Sequence, residues 1–206
     1  MPRHHAIISG TGRAGTTFLV QLLTRLGQST GFSDITSGVH ANCNAGMEWD
    51  IRDPDAPYII KNPWLCDYLE PVLESGGIVI DHAIIPMRDL FSAAQSRIDV
   101  ARRTDPALYP GSGEIPGGLW LTDDPGKQEG VLVTQLYKLL YVLTKYNIPA
   151  TFLHFPLFIQ NPAYAYGKIN FLLGGMDYDF FLSGFREVVR PELVHNFCST
   201  GEGRGW

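Results

Sequence analysis

Nine residues near the start of the chain, Ser9-Gly10-Thr11-Gly12-Arg13-Ala14-Gly15-Thr16-Thr17, constrain its folding more than any other stretch. They follow a short apolar run, His5 to Ser9. They precede a segment, Thr16 to Leu26, in which Phe18, Leu19, Leu22, Leu23 and Leu26 recur on one helical face. A strand, a glycine-rich turn and an amphipathic helix in this order form an anion cradle. Glycines let the backbone turn tightly, and the free N–H groups of the helix start, with the helix dipole behind them, hold negative charge. Arg13 adds a cation, and Thr16 and Thr17 add hydroxyl donors. Against the pattern G-x-x-x-x-G-K-[ST], Gly10, Gly15 and Thr17 match, but Thr16 stands where the lysine should be. An ATP or GTP enzyme built on this turn would lack the lysine that reaches the outer phosphates.

The rest of the chain continues the alternation. Strands are expected at Tyr58 to Lys61, Ile78 to Met87 and Thr151 to Phe155. Helices are expected from Trp64 to Glu74, from Leu90 to Arg103 with Asp89 as N-cap, and from about Gly126 to Tyr146. Closing helices follow at Asn161 to Leu172 and Tyr178 to Val189, and Pro191 ends the second. The polar stretch from Gln28 to Pro57 is expected to hold one short strand and one short helix around Gly46 to Arg52. The fold class is therefore α/β, a three-layer α/β/α arrangement on a parallel sheet, and residues 1–206 form a single domain. Ligands of such sheets bind outside the carboxyl ends of the strands. Thr104 to Pro125, rich in Pro and Gly, is read as a lid, and Ser199 to Trp206 as a mobile tail.

A second anion anchor is expected where Ile84-Ile85-Pro86-Met87-Arg88-Asp89 ends a strand. Arg88 falls on the same sheet edge as the first turn, and Ser96 lies eight residues on in the following helix. Together, Gly-x-Gly-Arg-Ala-Gly-Thr-Thr-Phe-Leu, Arg88 with Ser96, and the strand-end Lys61-Asn62-Pro63 resemble the signature of the PAPS-dependent sulfotransferases, in their small bacterial form. The likeness in motifs spans about residues 6 to 97. It implies a P-loop NTPase-like domain, with 3′-phosphoadenosine 5′-phosphosulfate (PAPS) as donor and adenosine 3′,5′-bisphosphate as product. On this likeness Gly12, Arg13, Ala14, Gly15, Thr16 and Thr17 hold the 5′ end of the donor. Arg88 and Ser96 hold the 3′-phosphate, and Lys61 neutralises charge on the leaving group. No metal is expected, because side chains and backbone amides supply the positive field. The chain departs from the cytosolic branch of the family in two places. Pro63 stands where that branch has a histidine, and its Arg-Lys-Gly element is absent, with only Gly203-Arg204-Gly205 loosely similar.

Sulfuryl transfer to a hydroxyl needs a general base at the same edge of the sheet. His82 precedes Arg88 by six residues and lies roughly 20 Å back along its strand. His4 and His5 open the first strand, and His154, before Phe155-Pro156, is read as a packing residue. Two candidates remain. Glu48 lies 31 residues after Thr17, in surroundings that resemble the glutamate base of glycan sulfotransferases, and His40 has a suitable ordinary pKa. The acceptor is a small molecule, sugar or lipid bearing a hydroxyl. It is expected under a lid whose Leu108, Tyr109, Ile115, Leu119 and Trp120 form an apolar inner face. The Arg102-Arg103 pair either attracts an anionic acceptor or favours its helix end through the dipole, and the second reading is preferred.

Charge and composition narrow the rest. Sixteen Lys and Arg against 21 Asp and Glu leave a net charge of -5, which speaks against broad nucleic-acid binding. Three cysteines without a Cys-x-x-Cys pair speak against a disulfide framework or a structural zinc site. No apolar stretch is long enough to span a membrane and no secretory leader is read, so a cytoplasmic setting is expected. No oligomeric state is specified. The alternatives in other classes are a P-loop kinase-like phosphotransferase and a nonenzymatic nucleotide-binding protein.

Overall fold

The apolar run before the glycine-rich turn forms the first strand of a parallel sheet. In the computed structural model, which describes residues 1–109, 115–195 and 197, the strands are β1 (Arg3–Ile8), β2 (Val39–His40), β3 (Ala45–Gly46), β4 (Ile59–Lys61), β5 (Ile78–Met87) and β6 (Ala150–His154). The helices are α1 (Thr16–Arg25), α2 (Leu65–Glu74), α3 (Leu90–Arg103), α4 (Gln128–Lys145), α5 (Leu157–Gln160), α6 (Pro162–Ile169) and α7 (Tyr178–Val188). The tail from Ser199 to Trp206, with Arg204, and the Pro110 to Glu114 part of the expected lid lie outside the described residues.

Four strands form the sheet in the order β4-β1-β5-β6, all parallel. Side chains alternate between its faces. Ile8, Ile59, Ile84 and Leu153 share one core with α1, α5, α6 and α7. Ile7, Ile60, Ala83 and Ile85 share the other with α2, α3 and α4. Phe158 and Phe181 are fully buried in the first core, where each such side chain contributes about 1.5–3 kcal/mol by leaving water. The result is a three-layer α/β/α domain.

The path of the chain decides where a ligand can bind. From β1 it crosses through α1 to β4, then reverses through α2 to β5 and continues through α3 and α4 to β6. Right-handed crossovers running in opposite directions fall on opposite faces, which is why α1 lies apart from α2–α4. The reversal opens a crevice between the carboxyl ends of β1 and β5. There the Ser9 N–H still donates to the Ile84 carbonyl at 3.1 Å, so the two strands run side by side up to their turns.

Three local expectations need correction. Residues 46 to 52 form no helix; β2 and β3 make a short antiparallel hairpin and turns follow. Gly46 (φ 137°) and Met47 (φ 64°) adopt backbone angles that a right-handed helix cannot use, and a side chain at Gly46 would run into the Gly38 carbonyl. His154 does not pack: it is exposed at the end of an edge strand, and its backbone N–H donates to the Tyr164 hydroxyl at 3.0 Å. Leu108 is 67% exposed and gives the lid no inner face. His4 and His5 lie at the far end of β1 from the crevice, where His4 meets Asp81 and His5 meets the Pro57 carbonyl. Among the described residues no helix is long and apolar enough to cross a membrane.

Candidate active site

The glycine-rich turn leaves β1 at the crevice and bends back into α1. Gly15 caps α1 at φ 79°, and a Cβ there would come within 2.7 Å of Phe158. Arg13 itself sits at φ 54°, a left-handed conformation that a side-chain-bearing residue adopts only at a cost. Arg13 Nε donates to Ser96 Oγ at 3.1 Å, and Nη1 donates to the Cys43 carbonyl at 2.8 Å. The second anchor closes on the first. Arg88 Nη1 donates to the Arg13 carbonyl at 2.8 Å, and Nη2 donates to the carbonyl of His195. The guanidinium of Arg88 lies 4.9 Å from the Phe155 ring centre and 5.7 Å from that of Phe197.

These groups face a cavity of about 490 Å³ whose lining includes Arg13, Arg88, Arg103 and Arg190, together with Ser96 and Thr16. No Asp or Glu is among its described lining residues. Arg103 pairs with Asp99 at 3.3 Å, but neither Arg13 nor Arg88 makes an ion pair with a carboxylate among the described residues. Burial lowers the pKa of both guanidinium groups. For Arg88 burial and then the neighbouring Arg13 charge bring it to about 10, so it stays cationic at neutral pH. Two desolvated positive charges held close together without an ion-paired carboxylate suit an anion chemically.

A second cavity, of about 320 Å³, adjoins the first; Arg13, Thr16 and Ala45 line both. It is built around the end of β4. Lys61 is 4% exposed, and its ammonium donates to Glu48 Oε1 at 2.5 Å, to the Gly46 carbonyl at 2.6 Å and to Thr17 Oγ1 at 3.2 Å. Its three hydrogens are therefore all used. Burial pulls the Lys61 pKa below its ordinary value, and the Glu48 charge restores only part of it. The chain following the hairpin carries Glu48 into this cavity, where its side chain stays 24% exposed. His40, at the end of β2, lines the same cavity; it is exposed, with its ring centre 6.4 Å from that of Tyr109. Trp64, Tyr109, Ile115, Leu119 and Trp120 supply the apolar wall.

The residues singled out by sequence thus divide between two adjoining cavities. Gly15, Thr16, Thr17, Arg13, Arg88 and Ser96 line the larger. Gly12, Glu48, His40 and Lys61 line the smaller. Ala14 is fully buried and lines neither. Ser96, expected to share an anion with Arg88, lines the larger cavity beside it and also accepts from Arg13 Nε, so it orients the first anchor. Sequence reasoning missed Arg97, Asn42 and Arg190. Arg97 follows Ser96 directly, and an arginine beside Ala93, Ala94, Ile98 and Val100, which share its buried side of α3, stood out only once the structure showed its burial. Asn42 and Arg190 gave no signal, since one sits in a hairpin turn and the other just past α7. Among the described residues no group of three or more His, Cys, Asp or Glu is placed to hold a metal ion. No family model, no curated protein and no solved structure matches this chain.

Proposed function

We propose that this protein is a cytoplasmic PAPS-dependent sulfotransferase. The larger cavity receives 3′-phosphoadenosine 5′-phosphosulfate and releases adenosine 3′,5′-bisphosphate, and the smaller receives an acceptor hydroxyl. The observation that carries this reading is the larger cavity's lining, arginines without a carboxylate in a chain of net charge -5, joined through Arg13 and Thr16 to a cavity that holds one. The donor is doubly anionic at its two ends, and the two strand-end anchors, Arg13 and Arg88, are the complement it needs.

In this reading Glu48 takes the acceptor proton while the acceptor oxygen attacks sulfur. The bond from sulfur to the phosphate oxygen breaks, and charge develops on that oxygen. The amides of the turn, Thr16 and Thr17 face this charge, and Lys61, bonded to both Thr17 and Glu48, links it to the base. Glu48 is preferred to His40 because a fixed contact orients it, whereas His40 is exposed. The smaller cavity, about 320 Å³, is near the lower end of the usual range of about 300–1,000 Å³ for ligand sites. Its size and aromatic walls suit a compact apolar alcohol or phenol better than an oligosaccharide.

Thermal denaturation with added nucleotide tests the assignment. Adenosine 3′,5′-bisphosphate at about 100 times its Kd should raise the midpoint by about 5–10 °C without magnesium. Protection by ATP with magnesium, and none by the bisphosphate, would overturn it in favour of a phosphotransferase.

A further inference from the structure

Ser96 and Arg97 are neighbours on α3, yet they face different cavities. A helix turns by about 100° per residue, so the side chain after Ser96 swings toward the acceptor side. Arg97 is 6% exposed. Its Nη2 donates to the Thr11 carbonyl of the glycine-rich turn at 2.9 Å, and its Nη1 donates to the Gly118 carbonyl at 2.8 Å. Its guanidinium lies 5.2 Å from the ring centre of Trp120. The Trp120 backbone is itself fixed, its amide N–H donating to Gln128 Oε1 at 2.8 Å, and the residue is buried. One planar, rigid fork therefore joins the turn that faces the donor to the wall that faces the acceptor. There is no slack at the joint, because a Cβ added at Gly12 would lie 2.6 Å from Arg97 Nη2.

A second tie runs parallel to it. Asn42 Nδ2 donates to Thr104 Oγ1 and to the Pro116 carbonyl, each at 3.3 Å, and its Oδ1 accepts from the Tyr109 hydroxyl at 2.9 Å. The adjacent Cys43 carbonyl is the one that Arg13 Nη1 holds. An anion that draws in the turn or the Arg13 guanidinium thus pulls on the acceptor wall at Gly118 and, through the Asn42–Cys43 segment, at Pro116.

We propose that Arg97 is a positioning residue that couples the two cavities, so that an anion filling the turn steadies the wall at residues 115–120. The identities of the two ligands rest on the sulfotransferase reading. The coupling needs only an anion at Arg13 and Arg88. A lysine at position 97 keeps the charge but cannot hold both carbonyls in one plane, so Arg97→Lys is the variant of choice.

The test is amide hydrogen exchange across residues 115–120 with and without adenosine 3′,5′-bisphosphate, alongside its Kd by calorimetry. In the unmodified protein, saturation should slow exchange there by about tenfold, within the usual 5–150-fold range of coupling between sites. In Arg97→Lys the bisphosphate should still bind within about threefold, while the exchange response falls below about twofold. Trp120→Leu, which removes the face under the guanidinium, should at least halve the response, and it serves if Arg97→Lys does not fold. Three results would overturn the coupling: no response at 115–120 while the bisphosphate binds, a full response in either variant, or equal loss of protection in the free and bound states. The last would mark Arg97 as a structural brace only. If ATP or pyrophosphate binds and the bisphosphate does not, the sulfotransferase reading falls and the coupling is read with that anion. If none of the three binds, both fall.

Discussion

The two adjoining cavities carry positive charge in opposite ways. In the larger, Arg13 and Arg88 come from turns at the ends of β1 and β5, and among the described residues no carboxylate lines the cavity or forms an ion pair with either. In the smaller, Lys61 ends β4 with every hydrogen already given to Glu48, Gly46 and Thr17. The first arrangement waits for an anion, and its charge is worth most when one arrives. The second is satisfied without a ligand and serves to hold a carboxylate in place. The contrast teaches that a buried cation is informative only once its partners are known. Lys61 is the more buried of these cations, yet Arg13 and Arg88 are the better evidence for a bound anion.

Glu48→Gln probes the satisfied cavity and should show the largest effect. Removing a general base costs about 10²–10⁴-fold in turnover. Sulfated product from a panel of small phenols and alcohols should fall by that factor, while the calorimetric Kd for adenosine 3′,5′-bisphosphate stays unchanged. Normal turnover would transfer the role of base away from this residue.

Arg88→Glu probes the unsatisfied one. Hydrogen bonds to charged groups are worth about 1.5–3 kcal/mol, and reversal adds repulsion, so affinity for the bisphosphate should drop at least about 100-fold. Arg13→Glu should do the same. If either reversal leaves binding intact, the cavities are not divided as described.

The helix between the cavities sets a smaller effect. Asp89 caps α3, which carries both Ser96 and Arg97, by accepting from the Ser92 N–H at 2.8 Å. Asp89→Ala should cost about 1 kcal/mol and lower the thermal midpoint by about 2–4 °C.

The smallest effect lies outside both cavities and serves as their control. His5 and His82 have pKa values lowered below 6.5, in each case chiefly by burial. Below that value the unfolded chain binds protons that the folded chain resists. Stability should therefore fall as pH drops through 6.5 and level off once pH passes below the folded values. Denaturation midpoints between pH 7.5 and 5.5 should show this slope, and His82→Gln should flatten it. The permanent charges of Arg13 and Arg88 do not titrate in this window.

Much of the scaffold was legible in the sequence because it follows from local rules. The apolar runs that became β1, β4 and β5, the helical spacing in α1 and α4, and the Asp89 cap are short-range features. The turn at Gly10 to Gly15 and the strand-end Arg88 were readable for the same reason, since a parallel sheet sends both to one edge. The hairpin at Val39 to Gly46 was not, because its backbone is set by Gly46 lying against the Gly38 carbonyl, a contact without a periodic signature.

By itself, then, the sequence determined the layers of the protein and the edge at which Arg13, Arg88 and the glycine-rich turn gather. Hydrophobic period and turn chemistry act over a few residues and are written in the order of the chain. Only the tertiary structure decided how those groups are partnered. It joined Lys61 at the end of β4 to Glu48, tied Ser96 to Arg13, and set Arg97 between Thr11 and Gly118. These contacts join residues from 13 to 86 positions apart and in different elements or loops, and such pairings are settled by the folding of the whole sheet and its loops.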